Sequence, residues 1–132
     1  MKTLQSQSTS NACSISQAAS VAALNGDQAC VISMNAAYRQ RSDYIVEALN
    51  SVPGFECRAG EGAFYAFPRV TGAIEQRKLR NDTALVEFLL QEADVAMVPG
   101  AAFGTPGYLR ISFACSMDTL EQCVARIKGA LS

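Results

Sequence analysis

The stretch Val98–Phe113 reads Val-Pro-Gly-Ala-Ala-Phe-Gly-Thr-Pro-Gly-Tyr-Leu-Arg-Ile-Ser-Phe. Its glycine- and proline-rich first part predicts a loop, and the alternation at its end predicts a β-strand. Leu109 and Ile111 would face one side of that strand and Arg110 the other. A guanidinium held at such a loop can bind a carboxylate through two parallel hydrogen bonds. The pattern alone leaves a second interpretation open, in which Arg110 is an exposed strand residue paired with a surface acid.

The rest of the chain predicts four helices and two further strands. Helices are expected at about 14–24, 28–51 and 82–93 and after Ser116, with strands within 60–68 and 95–98. Residues 1–13 are predicted to form a polar, extended or looped arm, and 70–80 a polar connection. Residues 14–132 would then form one domain of the α/β (α+β) sandwich class, in which helices cover a small mixed sheet of about three strands.

Caps and apolar stripes support these helices. Ser14 and Gln17 have the spacing of a capping box. Caps are also expected from Asp27, from Asn81 or Asp82, and from Ser116. The long second helix carries an apolar stripe formed by Val31, Met34, Tyr38, Ile45 and Leu49.

The composition excludes several classes of protein. The chain has 132 residues, 49% of them hydrophobic and 17% charged, and a formal net charge of −1. This balance suits a domain with a real core and argues against a nucleic-acid binder, which would show a basic stripe. No apolar run has the length of a membrane span, and the N-terminus lacks the apolar segment of a signal peptide. We therefore expect a cytoplasmic protein.

Common catalytic residues are scarce. The sequence has no histidine, which excludes Ser-His-Asp and Cys-His catalysis and most metal sites. Its five cysteines form no Cys-x-x-Cys pair, so neither a disulfide framework nor a zinc site is predicted. The three lysines, Lys2, Lys78 and Lys128, lie in polar or helix-end contexts rather than in apolar ones that would activate them for covalent work.

Four segments, at 5–11, 60–67, 95–104 and 107–114, resemble in order the C-terminal part of class I aminotransferases of the aspartate aminotransferase family. These enzymes use pyridoxal phosphate, and the resemblance covers the whole chain. It implies the small domain of fold-type I enzymes and gives Arg110, in Gly-Tyr-Leu-Arg-Ile-Ser-Phe, the role of binding the α-carboxylate of the substrate. Ser10 and Asn11 match a stretch near the dimer interface and the neighbouring active site, so Asn11 is a possible substrate-binding residue. Ala12 stands where the family usually has proline.

Other parts of the family pattern are missing from this sequence. It has neither the Ser-Lys segment of the Schiff-base lysine nor the Gly-x-Arg-x-Gly pattern that follows it. We therefore expect a fragment, with Met1 internal to a longer aminotransferase and the large domain absent. The resemblance implies a homodimeric parent that transfers an amino group from an L-amino acid such as aspartate to a 2-oxo acid. This chain alone is predicted to be inactive and to hold no covalently bound cofactor. The alternatives are a stand-alone module that binds small carboxylates and a non-catalytic dimerisation domain.

Overall fold

The computed structural model describes residues 2–9 and 11–132, which divide into two compact units, one ending at Met34 and one running from Asn35 to Ser132. The first unit contains helices α1 (Lys2–Ser8) and α2 (Ser14–Asn25) and the beginning of α3 (Ala29–Asn50). No described residue of α1 or α2 is buried. The position near a dimer interface that the resemblance implies for this polar arm, through Ser10 and Asn11, stays a prediction.

The first unit corrects two expectations from the sequence. Residues 2–8 form a helix rather than an extended arm, because the hydroxyls of Ser6 and Ser8 donate to carbonyls of their own helix and do not compete with it. The capping box at Ser14 is also wrong, since Cys13 occupies the cap position and Gln17 donates to the Ala12 carbonyl at 2.8 Å. The Asp27 carboxylate accepts a hydrogen bond from the Ala29 amide at 3.0 Å, as predicted.

The second unit is a three-stranded sheet covered by helices. Strands β1 (Tyr65–Ala66), β3 (Leu109–Ser112) and β2 (Val98–Pro99) lie side by side in that order, and both pairings are antiparallel. Tyr65 lies opposite Ser112, and Val98 lies opposite Arg110. The elements are the rest of α3, β1 (Tyr65–Ala66), α4 (Thr71–Gln76), α5 (Asp82–Ala93), β2 (Val98–Pro99), a 3₁₀ turn (Gly100–Phe103), β3 (Leu109–Ser112) and α6 (Met117–Leu131).

A small sheet of about three strands under helices is thus confirmed, but the sheet is antiparallel rather than mixed. The connection from β2 to β3 is one short loop, whereas a parallel pairing would need a crossover of a dozen or more residues. The strands at 60–68 and 95–98 are also shorter than predicted. In the first segment the strand is limited to Tyr65–Ala66, and the second contributes the two-residue edge strand Val98–Pro99 instead of a buried strand. The segment 70–80, predicted to be a polar connection, contains helix α4.

Helices α3, α5 and α6 and strand β3 together form the core. On β3, the side chains of Leu109 and Ile111 are buried as the alternation predicts. The stripe of α3 is buried only at its second half, because Val31 and Met34 belong to the first unit and are exposed. The fully buried large side chains of the helices are Ile45, Leu49, Leu85, Leu89, Leu120 and Ile127.

The caps of the last two long helices are confirmed. The side chain of Asn81 accepts a hydrogen bond from the Ala84 amide at 3.0 Å, and that of Ser116 accepts one from the Thr119 amide at 3.2 Å. Within the described residues, no helix combines the length and apolarity that crossing a membrane requires.

Candidate functional site

Arg110 projects from the middle strand on the face that the core leaves open. Its neighbours Leu109 and Ile111 point into the core, while Arg110 itself is half-buried. The guanidinium carbon lies 4.6 Å from the ring centroid of Tyr65 and 4.5 Å from that of Phe103. Both distances are within the range of cation–π attraction. Two rings from different elements therefore hold the arginine head group at the surface of the sheet.

These two rings belong to an aromatic face formed by Tyr65, Phe67, Phe103 and Tyr108. Phe67 stacks on Tyr108 with ring centroids 5.2 Å apart and an interplanar angle of 11°. It also meets Phe103 edge-on at 6.5 Å. Tyr65, Phe67 and Phe103 are each more than a third exposed. The aromatic face thus surrounds the guanidinium with apolar surface. Cation–π contacts use none of its N–H groups, which stay available to donate hydrogen bonds.

The described part of the chain contains no carboxylate within ion-pair distance of Arg110. The ion pairs found there join Arg69 to Glu56 at 3.6 Å and Arg126 to Asp94 at 4.0 Å. The other interpretation, in which Arg110 pairs with a surface acid, is therefore not supported, because no such acid is found among these residues.

The turn that carries Phe103 is tightly built. A side chain at Gly100 would collide with the Thr105 carbonyl and come within 2.8 Å of Tyr108 atoms, so only glycine fits there without a shift. The Gly100 amide donates to the Tyr108 carbonyl at 2.7 Å, which fastens the turn to the residue before β3. Gly104, at the end of the turn, has φ +73°, a conformation that favours glycine.

A buried carboxylate fastens the same turn from the other side. Asp82, the first residue of α5, is 1% exposed, and its Oδ2 accepts a hydrogen bond from the Ala101 amide at 2.8 Å. The sequence pattern indicates only a helix cap for Asp82, a role that Asn81 fills. No motif points to Tyr65 or Phe103, although the alternation through the first strand places Tyr65 on the open face.

The other predicted site residue lies in the first unit. Asn11 is exposed and lines a cavity of about 200 Å³ together with Lys2, Gln5, Ser6 and Thr9. Its neighbour in the motif, Ser10, lies outside the described residues. The role of Asn11 stays a prediction.

Comparisons with known proteins identify the family. The profile described as "Aminotransferase class I and II" matches residues 1–127. The chain belongs to this family. An aspartate/prephenate aminotransferase of Nitrosomonas europaea is 51% identical to it over 138 residues, a match that covers 100% of this chain and 35% of that protein. The chain therefore spans about a third of the length of this relative.

Solved aminotransferase structures share the fold. The aspartate aminotransferase from Rhizobium meliloti matches 98% of this chain with 34% of its own, at a TM-score of 0.86 and 40% identity. The aspartate aminotransferase from Thermotoga maritima matches 96% of this chain with 31% of its own, at a TM-score of 0.78 and 35% identity. These neighbours confirm the expected fold-type I class.

Proposed function

We propose that this chain is the carboxylate-binding part of an amino-acid aminotransferase, in which Arg110 binds the α-carboxylate of the amino-acid and 2-oxo-acid substrates. The observation that supports the proposal is the guanidinium of Arg110, held against Tyr65 and Phe103 with no acid partner among the described residues. The family of the chain supplies the reaction class.

The chemistry of arginine suits this task. A guanidinium binds a carboxylate through two parallel N–H···O bonds, which fixes the plane of the carboxylate and the direction of the bond to Cα. Fixing that bond relative to the other reacting groups lowers the barrier of the transfer step. Lysine, a point charge on a flexible chain, could attract the carboxylate but not set its plane.

Pyridoxal phosphate, the cofactor that the family implies, serves in such reactions as an electron sink. The sequence lacks the family's Ser-Lys segment, and we infer from this that none of its three lysines attaches the cofactor. Lys2 and Lys78 are exposed, and Lys128 is on helix α6. We propose that the attachment lysine and the cofactor site lie in the large domain, which the longer relatives have and this chain does not span. We also propose that the full-length aminotransferase is a cytoplasmic homodimer.

The test is a chimera in which this chain replaces the matching third of the Rhizobium meliloti enzyme. Arg110→Ala is expected to lower kcat/KM for aspartate by about 30-fold or more, because losing one partner of a desolvated charge pair costs about 2–5 kcal/mol. Arg69→Ala, at an arginine already paired with Glu56, is the matched control and should change kcat/KM by less than about threefold. An active chimera whose Arg110→Ala variant loses less than tenfold would refute the proposal.

The isolated chain separates the alternatives. We expect it to show no transamination and to form no borohydride-trapped adduct with pyridoxal phosphate. A stoichiometric adduct would contradict the absence of an attachment lysine. Binding of a small carboxylate by the chain alone as tight as that by the active chimera would instead favour a stand-alone binding module, whereas weak, saturable binding through Arg110 agrees with the proposal.

A further inference from the structure

We propose that Asp82 is a positioning residue for Arg110. Its buried carboxylate holds the turn that carries Phe103, and the ring of Phe103 in turn holds the guanidinium. The inference rests on the proposed function of Arg110 as the carboxylate-binding group.

Two contacts, joined by one turn, connect Asp82 to the arginine. Oδ2 of Asp82 accepts a hydrogen bond from the Ala101 amide at 2.8 Å. Ala101 is the second residue of the 3₁₀ turn Gly100–Phe103, so that hydrogen bond fixes the turn relative to helix α5. The ring of Phe103, at the last position of the turn, lies 4.5 Å from the guanidinium carbon of Arg110. The 3₁₀ turn thus links helix α5 to the guanidinium of Arg110.

Helix capping does not account for the carboxylate at this position. Asn81 occupies the cap and accepts the hydrogen bond from the Ala84 amide at 3.0 Å. Asp82 is nevertheless 1% exposed, and a buried carboxylate is unfavourable unless hydrogen bonds satisfy it. The amide of Ala101 is a partner for it outside its own helix. We therefore assign Asp82 to the turn rather than to the helix.

Fixing the turn limits the conformations of the arginine. The turn is fastened to α5 through Ala101 and to the residue before β3 through the hydrogen bond from Gly100 to the Tyr108 carbonyl. Without the first of these, the ring of Phe103 leaves the guanidinium for part of the time. The apparent affinity for a carboxylate then falls in proportion to the fraction of molecules whose arginine is in its binding position.

The experiment measures the dissociation constant of 2-oxoglutarate from the 132-residue chain by NMR at constant ionic strength, following the side-chain N–H of Arg110 and the amide of Ala101. Asp82→Ala is expected to weaken binding about fivefold, the equivalent of one ordinary hydrogen bond. Asp82→Asn keeps an acceptor oxygen and should stay within about twofold of the unsubstituted chain. Asn81→Ala is the matched control. It removes the cap of the same helix without touching the turn, so it should lower stability but leave the dissociation constant within about twofold.

The outcomes separate the two proposals. Arg110→Ala should abolish saturable binding. If it does, and Asp82→Ala binds as tightly as Asn81→Ala, the positioning role is wrong while the role of Arg110 stands. If Arg110→Ala binds as tightly as the unsubstituted chain, the role of Arg110 is wrong and the positioning role with it. Urea titrations of each variant, extrapolated to the binding conditions, ensure that only folded protein is compared.

Discussion

The Gly100→Ala substitution tests the tight turn beside Arg110. The added methyl would collide with the Thr105 carbonyl and come within 2.8 Å of Tyr108 atoms. Relieving that overlap requires the backbone to move, which costs about 1–3 kcal/mol as in other overpacked sites. The movement would also break the 2.7 Å hydrogen bond from the Gly100 amide to the Tyr108 carbonyl, worth about 1 kcal/mol. We expect the free energy of unfolding to fall by about 2–4 kcal/mol in total.

Two other glycines provide matched controls. Gly104 has φ +73° and open space around it, so Gly104→Ala meets only backbone strain, about 1–2 kcal/mol. Gly129 lies in helix α6 with open space, so Gly129→Ala should stabilise the protein by about 0.5–1 kcal/mol.

Urea unfolding followed by tyrosine fluorescence is the assay, because the chain has no tryptophan and its four tyrosines all lie within the second unit. If Gly100→Ala is no more destabilising than Gly104→Ala, the close approach at Gly100 does not constrain the turn and the reasoning fails.

Two further changes test interactions elsewhere in the second unit. Arg77 donates to the Ala130 and Ser132 carbonyls at the end of α6 and lies 5.6 Å from the ring centroid of Phe88, so Arg77→Ala should lower the free energy of unfolding by about 1–2 kcal/mol in urea titrations. Arg77→Lys should recover only part of that loss, since lysine lacks the planar fork, and full recovery would contradict the assignment. Burial raises the pKa of the Cys57 thiol above its ordinary 9.0. Above pH 9 the thiol therefore loses its proton in the unfolded chain before it does so in the folded one. The free energy of unfolding then falls with rising pH by up to about 1.4 kcal/mol per pH unit. Cys57→Ala should reduce that slope, and an unchanged slope would refute a role of this thiol.

The spacing of apolar residues predicted most of the helices and the middle strand, because in these elements the regularly spaced apolar residues are the ones that are buried. The alternation around Arg110 correctly placed Leu109 and Ile111 in the core. Short elements escaped prediction for a different reason. Helix α4 begins after Val70, whose amide donates to the Gly107 carbonyl, and the Ala73 amide donates to the Gly54 carbonyl. Its formation therefore depends on segments that are distant in sequence.

The site was predictable only in its central residue. The motif around Arg110 gave the arginine, but the residues that surround it are specified by tertiary contacts. Phe103 reaches the guanidinium because the turn folds back over the sheet, and Asp82 reaches Ala101 across 19 residues of sequence. No local pattern reports such a contact.

The strand order β1-β3-β2 has a consequence for the sequence of folding events during synthesis. Among residues 2–9 and 11–132, neither β1 nor β2 pairs with a strand other than β3, which is the last of the three to leave the ribosome. Until residues 109–112 emerge, Tyr65–Ala66 and Val98–Pro99 remain without the strand that aligns them, and two-residue strands have no independent stability. The sheet therefore forms in one late step, when the chain supplies the strand that carries Arg110. A nascent chain that stops short of this strand lacks both the centre of its sheet and its candidate binding group.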